Sequence, residues 1–423
     1  MSEFFDALET RDPEQRERDL MAALPTALAR AMASAPAIGM QLHGVDPWAI
    51  KSREALGSLP VLRKYQLLEA QQDSRQSLPE TAGALQRVFG GFSSVGWGQS
   101  LRVFASPGPI YEPETSRRDY WRFGRALYAA GFRAGDLAYN CFSYHFTPAG
   151  SMMETAAHAV GCTVFPGGTG QTEQQVHAMR DLAPHGYMGT PSFLKIILEK
   201  AEEMGVTLGS LRRAMVSGEA FPPSLRDWFA ARGVDGYQAY GSADLGMIAY
   251  ETPAREGLVL GEDVILEIVR PGTNDVLPAG EVGEVVVTTL NPDYPLVRFG
   301  TGDLSAVMVG PSPCGRTNQR IRGWMGRADQ TTKVRGLFVH PGQIAEVVKR
   351  YPEVARARLV VSGSTGSDNM VLKIESKAQV AGLQDRVADS VRDVTKLRAE
   401  VELVAAGSLP NDGKVIEDIR SYE

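Results

Sequence analysis

Between about residues 98 and 250 short apolar runs alternate with amphipathic stretches, and this alternation limits the possible folds more than any other feature of the chain. LRVFA precedes a helical stretch around 115–131, DLAYNCF a helix from about 148, and CTVFP the stretch QTEQQVHAMRDL. GYMG, a helix from Pro191 to about 204, RAMVS, a helix from Pro222 and GYQAY complete the series. Strand–helix–strand repetition of this kind predicts a mainly parallel sheet covered by helices. Ligands of such sheets sit at the carboxyl ends of the strands, in the loops that follow them.

Around this core, residues 14–35 and 61–73 read as helices, so 1–95 is expected to be a helical N-terminal part and 96–250 the α/β core. Beyond residue 250, DVILEIV and GEVVVTTL flank the turn segment PGTNDVLPAG, which predicts an antiparallel pair or small barrel, a β-rich part over 251–325. VARARLVVSG, MVLKIES, VAGLQDRVADSVRDV and AEVELVA then predict a small α+β domain over 326–423. The expected class is α/β, with a large domain over 1–325 and a small mobile one after it. At 423 residues two or three domains fit the usual size of a domain.

Composition removes several functions. Lys and Arg number 44 against 50 Asp and Glu, a net charge of −6, which argues against nucleic acid and anionic membranes as partners. Three scattered cysteines, Cys141, Cys162 and Cys314, predict no disulfide framework and a reducing compartment. The first twenty residues lack the apolar core of a signal peptide, and no stretch approaches 18 apolar residues, so a cytoplasmic chain with no membrane contact is expected.

Four polar stretches could carry chemistry. Gln238-Ala239-Tyr240-Gly241-Ser242-Ala243-Asp244-Leu245-Gly246 follows a predicted strand; its glycines permit a tight turn, and Asp244 offers a hard oxygen ligand for Mg²⁺. In Arg298-Phe299-Gly300-Thr301-Gly302-Asp303 an acid between small residues can accept two ribose hydroxyl hydrogen bonds, or simply close a hairpin turn. Gly326-Arg327-Ala328-Asp329, followed by Lys333-Val334-Arg335-Gly336, concentrates charge where the two textures meet and suits a hinge or a solvated linker. Pro410-Asn411-Asp412-Gly413-Lys414 holds a lysine on a Gly-flanked loop, either a surface lysine or a cation for charge developing on a phosphate.

Taken in order, these stretches resemble the successive motifs of the adenylate-forming superfamily (acyl-CoA ligases, luciferases and adenylation domains), and the closer match is the phenylacetate–CoA ligase family. LPVLRKYQLLEAQ, GYMGTPSFLKIILE and PCGRTNQRIRG extend the resemblance over nearly the whole chain. The resemblance implies a ligase that uses ATP, Mg²⁺ and coenzyme A on a small, aromatic carboxylic acid through an acyl-AMP. It implies that Ser217-Gly218-Glu219-Ala220 lies against adenine, that Tyr240, with Gly241 and Ser242, borders the base, and that Asp244 takes the position of the Mg²⁺ ligand. Asp303 would hold the ribose, Arg298 would approach phosphate or ribose, and Lys414 would bridge carboxylate and α-phosphate. Asp329 would be the hinge, and Lys333 and Gly336 would face the site during thioester formation. Phe142, Tyr144 and His145 after one predicted strand, and Tyr187 and Gly189 after another, are candidates for the acyl pocket. A homodimer is compatible with this reading.

The resemblance breaks at one place. Where the family carries a Ser/Thr/Gly-rich phosphate loop ending in Gly-Lys-Pro, this chain reads Ala105-Ser106-Pro107-Gly108-Pro109-Ile110-Tyr111-Glu112-Pro113-Glu114. Ser106, Gly108 and Pro113 match, but Glu112 replaces the lysine, and two prolines remove backbone donors. An acid is repelled by each phosphate charge by roughly 1 kcal/mol at about 4 Å in bulk water, and by more in a cleft. The alternative to the ligase is therefore an ATP-independent acyltransferase working between coenzyme A and another thiol, or a non-catalytic acyl-CoA or nucleotide binder. Zinc is not expected, because Cys314 lacks the further nitrogen or sulfur ligands of a tetrahedral site.

Overall fold

The computed structural model describes residues 3–328, 332–334, 337–339, 341–364, 367–376, 380–410, 412 and 414–420. The chain divides into two compact units. The first comprises Met1–Leu266, Val287–Phe299 and Met308–Trp324; the second comprises Glu267–Val286, Gly300–Val307 and Met325–Glu423.

A nine-stranded sheet dominates the first unit, and its centre is the parallel array that the alternation predicts. Thr163–Phe165, Leu137–Asn140, Gly186–Gly189, Arg213–Val216 and Asp235–Ser242 run side by side in that order, each parallel to the next. Gly246–Glu251, Leu258–Leu260 and Arg320–Ile321 continue it antiparallel, and Val307–Met308 is the edge strand. Period-two alternation sends successive side chains to opposite faces. Ala138, Met188, Met215 and Tyr237 join one core, with Trp121, Phe132 and Met153. Tyr139, Tyr187, Ala214 and Val216 join the other, with Val176, Leu194 and Phe229. Burial on both faces explains why these strands read as continuous apolar runs rather than as alternating ones.

The strand order reverses between Leu137–Asn140 and Gly186–Gly189, because the chain goes outward to Thr163–Phe165 and then crosses back. Clefts for ligands open at such a reversal, outside the carboxyl ends of the strands.

The predicted helices appear at Pro13–Ser34, Lys64–Ser77, Ala149–Val160, Thr172–Leu182, Pro191–Glu203 and Pro223–Ala230. One prediction needs correction: of the expected helix over 115–131, only Gly124–Ala129 forms. Asp119 (φ 49°) and Arg122 (φ 66°) adopt left-handed backbone that stops a helix, and the Asp119 carboxylate instead accepts from Gly124 N at 2.9 Å. A second strand, Ile110–Glu114, pairs antiparallel with Arg102–Ser106, so the segment matching the phosphate loop is a β-hairpin.

In the β-rich part, Val264–Val269 and Gly283–Thr289 are neighbours in a four-stranded sheet. In the second unit Glu400–Val404, Ser367–Ser376, Val354–Ser364 and Ile416–Asp418 form a further four-stranded sheet, packed with helices Pro341–Lys349 and Leu383–Thr395 around Ile344, Leu359, Leu372 and Val391. This is the small α+β assembly the sequence predicts. Among the described residues no helix is long and apolar enough to cross a membrane.

Candidate active site

Asp244 sits at the tip of the turn joining Asp235–Ser242 to Gly246–Glu251, where Ser242 pairs with Gly246. The sequence can make this turn because Gly246 takes φ +72°, and a Cβ there would approach Trp121 O to 2.7 Å. The Ser242 hydroxyl accepts from Leu245 N at 3.2 Å and tightens the loop. The Asp244 carboxylate is buried. Its Oδ2 pairs with Lys64 Nζ at 2.8 Å, while Oδ1 has no hydrogen-bond partner. A buried acceptor left open in this way costs about 1–3 kcal/mol unless a ligand supplies the partner.

The sequence alone does not single out Lys64. It begins the helix Lys64–Ser77, and its side chain stays 33% exposed while its ammonium meets the buried Asp244. Only its place in the LPVLRKYQLLEAQ segment hints at a role.

The altered hairpin contributes Glu112, whose exposure is 0%. Ser106 Oγ donates to Glu112 Oε1 at 2.5 Å and Ser106 N to Oε2 at 3.3 Å, so the serine hydroxyl is engaged within the hairpin. Burial, and secondly the negative field of Asp244, push the Glu112 carboxyl up to about 8. At neutral pH Glu112 is therefore mostly uncharged. The Tyr294 hydroxyl is also buried without a partner; desolvation first, then Glu112 and Asp244, raise it well above the usual phenol range. Gly108 lies at the turn of the hairpin, where a Cβ would meet Leu68 Cδ1 at 2.9 Å.

At the same end of the parallel sheet, the loop after Arg213–Val216 is tied to its neighbours. Ser217 Oγ donates to Ala239 O at 2.8 Å, Ser217 N to Gly189 O at 3.4 Å, and Glu219 Oε2 accepts from Ser192 N at 3.3 Å. Gly218 takes φ +81°, and Gly218, Glu219 and Ala220 are exposed. The Ser217 bonds tie Gly189 and Ser217 to the strand that carries Tyr240, which is half-buried at a register shift before Gly241, while Glu219 is tied to the start of the helix Pro191–Glu203.

The acyl-pocket candidates divide. Tyr144 donates to Glu154 at 2.7 Å and accepts from Asn140 Nδ2 at 2.8 Å; burial and Glu154 hold its hydroxyl protonated. His145 is exposed in the same loop. Phe142 and Tyr187 are core residues on opposite faces of the sheet, and the Tyr187 hydroxyl donates to Thr190 O at 3.1 Å. Gly189 leaves room for that ring, since a Cβ would lie 2.1 Å from the Tyr187 hydroxyl.

Arg298 is fully buried, at φ +45°. Its Nη1 donates to Gly57 O at 2.7 Å and to Leu59 O, its N donates to Thr288 Oγ1 at 2.9 Å, and its O accepts from Leu62 N at 2.9 Å. In this setting the guanidinium fastens the segment before Lys64. Arg298→Met leaves both carbonyls without the donor they share and is expected to cost about 1–3 kcal/mol in urea unfolding.

In the second unit, Asp303 pairs with Arg327 at 3.0 Å and bridges it antiparallel through the backbone. Lys414 is exposed; its N donates to Asp412 Oδ1 at 3.1 Å, and its ammonium has no partner among the described residues. Lys333 lies in the strand Thr332–Val334. Asp329 and Gly336 lie outside the described residues. Cys314 Sγ lies 3.1 Å from Ser312 Oγ, and among the described residues no cluster of three or more His, Cys, Asp or Glu could hold a metal ion.

The AMP-binding enzyme model matches residues 116–291, and the AMP-binding enzyme C-terminal domain model matches 336–419. A phenylacetate–coenzyme A ligase of Thermus thermophilus is 29% identical over 403 residues, covering 87% of each chain. One of Aromatoleum evansii is 30% identical over 348 residues, covering 78% of this chain and 74% of its own. The solved open conformation of a 2-hydroxyisobutyryl-CoA ligase, in complex with 2-HIB-AMP and CoA, superposes with a TM-score of 0.71 at 24% identity over 97% of this chain and 92% of that one, and so shares the fold. With the model matches on both units and identity sustained along most of its length, the chain belongs to the phenylacetate–coenzyme A ligase family of the AMP-binding enzymes.

Proposed function

We propose that the chain joins a small carboxylic acid, aromatic by analogy with its named relatives, to coenzyme A at the expense of ATP. The observation that carries this reading is the buried Asp244 carboxylate at the strand ends, with one oxygen on Lys64 and the other open. Mg²⁺ binds proteins through one or two carboxylates and completes its shell with water and phosphate oxygens, so a single open carboxylate oxygen fits it. Bound there, the ion would draw charge from the phosphates.

In the first step a substrate carboxylate oxygen attacks the α-phosphorus of ATP, the bond to the bridging oxygen breaks, and pyrophosphate leaves. Lys64 and Lys414 are the cations assigned to the charge that gathers on phosphate and carboxylate. In the second step the coenzyme A sulfur attacks the acyl carbon, AMP departs with the electron pair, and the thiol proton goes to solvent. The Ser217–Ala220 loop and Tyr240 are assigned to adenine, and Asp303 to ribose. His145 is given no proton transfer, because the acid is already ionised at neutral pH. Asp329 is assigned the hinge near a domain boundary at 325/326, with Lys333 and Gly336 serving the second step.

A second reading is favoured by the hydroxyl of Ser106, which is bonded to Glu112 inside a hairpin in place of an open hydroxyl-lined phosphate loop. That would suit ATP-independent acyl transfer between thiols. Carboxylate-dependent exchange of labelled pyrophosphate into ATP, across arylacetic, benzoic, hydroxy and short aliphatic acids, separates the two. Exchange with at least one acid is expected. No exchange with any acid, together with acyl movement from an acyl-CoA to a thiol acceptor, overturns the ligase.

A further inference from the structure

The loop before Lys414 is held by charged groups from the neighbouring strands of its own sheet. Arg358, on Val354–Ser364, is buried, with 4% of its side chain exposed, yet it is directed at the loop: Nη2 donates to Pro410 O at 3.1 Å and to the Asp412 carboxylate, and Nη1 reaches Glu417 Oε2 at 3.3 Å. Arg356, two residues earlier on the strand, donates to Leu409 O and Pro410 O, each at 2.9 Å. Glu375, buried on the adjacent strand, accepts from Leu409 N at 2.7 Å. After the loop, Leu359 N donates to Val415 O at 2.8 Å and Ile416 pairs with Leu359, so the chain is fixed on both sides of Lys414. Asp412 is the link between clamp and lysine, because the same Oδ1 that meets Arg358 accepts from Lys414 N at 3.1 Å.

We infer that Arg358 and Asp412 are positioning residues for Lys414: the arginine fixes the aspartate, and the aspartate fixes the lysine backbone while being kept from capturing its ammonium. A charge-assisted bond from a buried guanidinium is stronger and better directed than a neutral one, so it can hold a surface loop in one place. A bare carboxylate two residues from Lys414 would compete for its ammonium; with Arg358 on it, the ammonium stays open to an anionic substrate. Placement matters because displacing a catalytic group by about 1 Å can cost roughly 10²-fold in rate. The inference rests on the adenylation role given to Lys414 above.

The test uses the full chain and measures both half-reactions, pyrophosphate exchange with ATP and thioester formation from preformed acyl-AMP. Asp412 is 38% exposed, so Asp412→Ala leaves no buried charge beyond one face of Arg358, which Pro410 O and Glu417 still occupy. Asp412→Ala is expected to lower kcat of exchange by roughly 10–100-fold, with KM for ATP and the thioester half-reaction within about threefold. Asp412→Asn, which keeps the acceptor for Lys414 N, is expected to recover part of the loss. In a Lys414→Ala background, Asp412→Ala is expected to cause no further loss of exchange, since the group it positions is gone. Additive losses, or an equal fall of both half-reactions, overturn the positioning role and leave a purely structural clamp. A failure of the Lys414 reading looks different: Lys414→Ala alone then spares exchange.

Discussion

Lys414→Ala is expected to lower carboxylate-dependent pyrophosphate exchange by roughly 10²–10³-fold, the usual loss when one preorganised donor to developing charge is removed. Thioester formation from preformed acyl-AMP is expected to stay within a few-fold. The asymmetry follows from the chemistry. In adenylation a carboxylate approaches a polyanion, and a cation is needed where both meet. In thioester formation the attacking group is a thiol and the phosphate is already leaving. Lys414 is suited to the first task because the residue is exposed and its ammonium is without a partner among the described residues, while its backbone is fixed by Asp412. Neighbouring cations cannot replace it: Arg356 and Arg358 are bound to loop carbonyls, and Arg358 also to two carboxylates. Rapid quench of each half-reaction measures the effect. Equal loss in both would remove the lysine from its assigned role.

The architecture was legible because its signals are local. Apolar runs buried on both faces, as in Ala138–Tyr139 or Ala214–Val216, mark central parallel strands, and the amphipathic stretches between them mark the covering helices. The polar motifs were legible by type and order, and Asp244 lies at the strand-end turn where the glycines predict it. What failed or stayed hidden depends on long-range contacts. The helix expected over 115–131 is cut short because Asp119 and Arg122 adopt left-handed backbone, to which no propensity pointed. Lys64 is 180 residues from its partner Asp244 in sequence, so neither residue announces the pair. Arg298 reads as a cation next to a glycine-rich acid, but its neighbours Gly57 and Leu59 are 241 and 239 residues away, and their carbonyls draw it inward. Charge at Glu112 was the most misleading signal of all. A sequence records a carboxyl group, whereas its protonation is decided by burial.

Glu112→Gln is expected to stabilise the folded chain at alkaline pH and to do almost nothing at pH 4. The sign follows from linkage. Burial and the field of Asp244 raise the folded carboxyl from 4.5 to about 8. The unfolded chain therefore releases this proton more readily, and stability falls as pH rises through the window from about 4.5 to about 8. A glutamine side chain does not titrate, so the variant escapes that fall. The difference is on the order of 3 kcal/mol at pH 7, since stability changes by about 1.4 kcal/mol for each pH step of one within the window. Urea midpoints for wild type and variant at pH 5 and pH 8 read it directly, with a gap that widens toward pH 8. A wild type more stable than the variant at pH 8 would mean an ionised Glu112 held by Lys64. The same titration bears on catalysis. An ionised acid in place of the family's lysine would oppose a triphosphate, but a neutral one adds no charge, and Lys64 beside Asp244 brings a cation to the same cluster from another element. Pyrophosphate exchange by wild type is therefore expected to decline above about pH 8 relative to Glu112→Gln, as the carboxylate forms and turns a neutral wall into an anionic one.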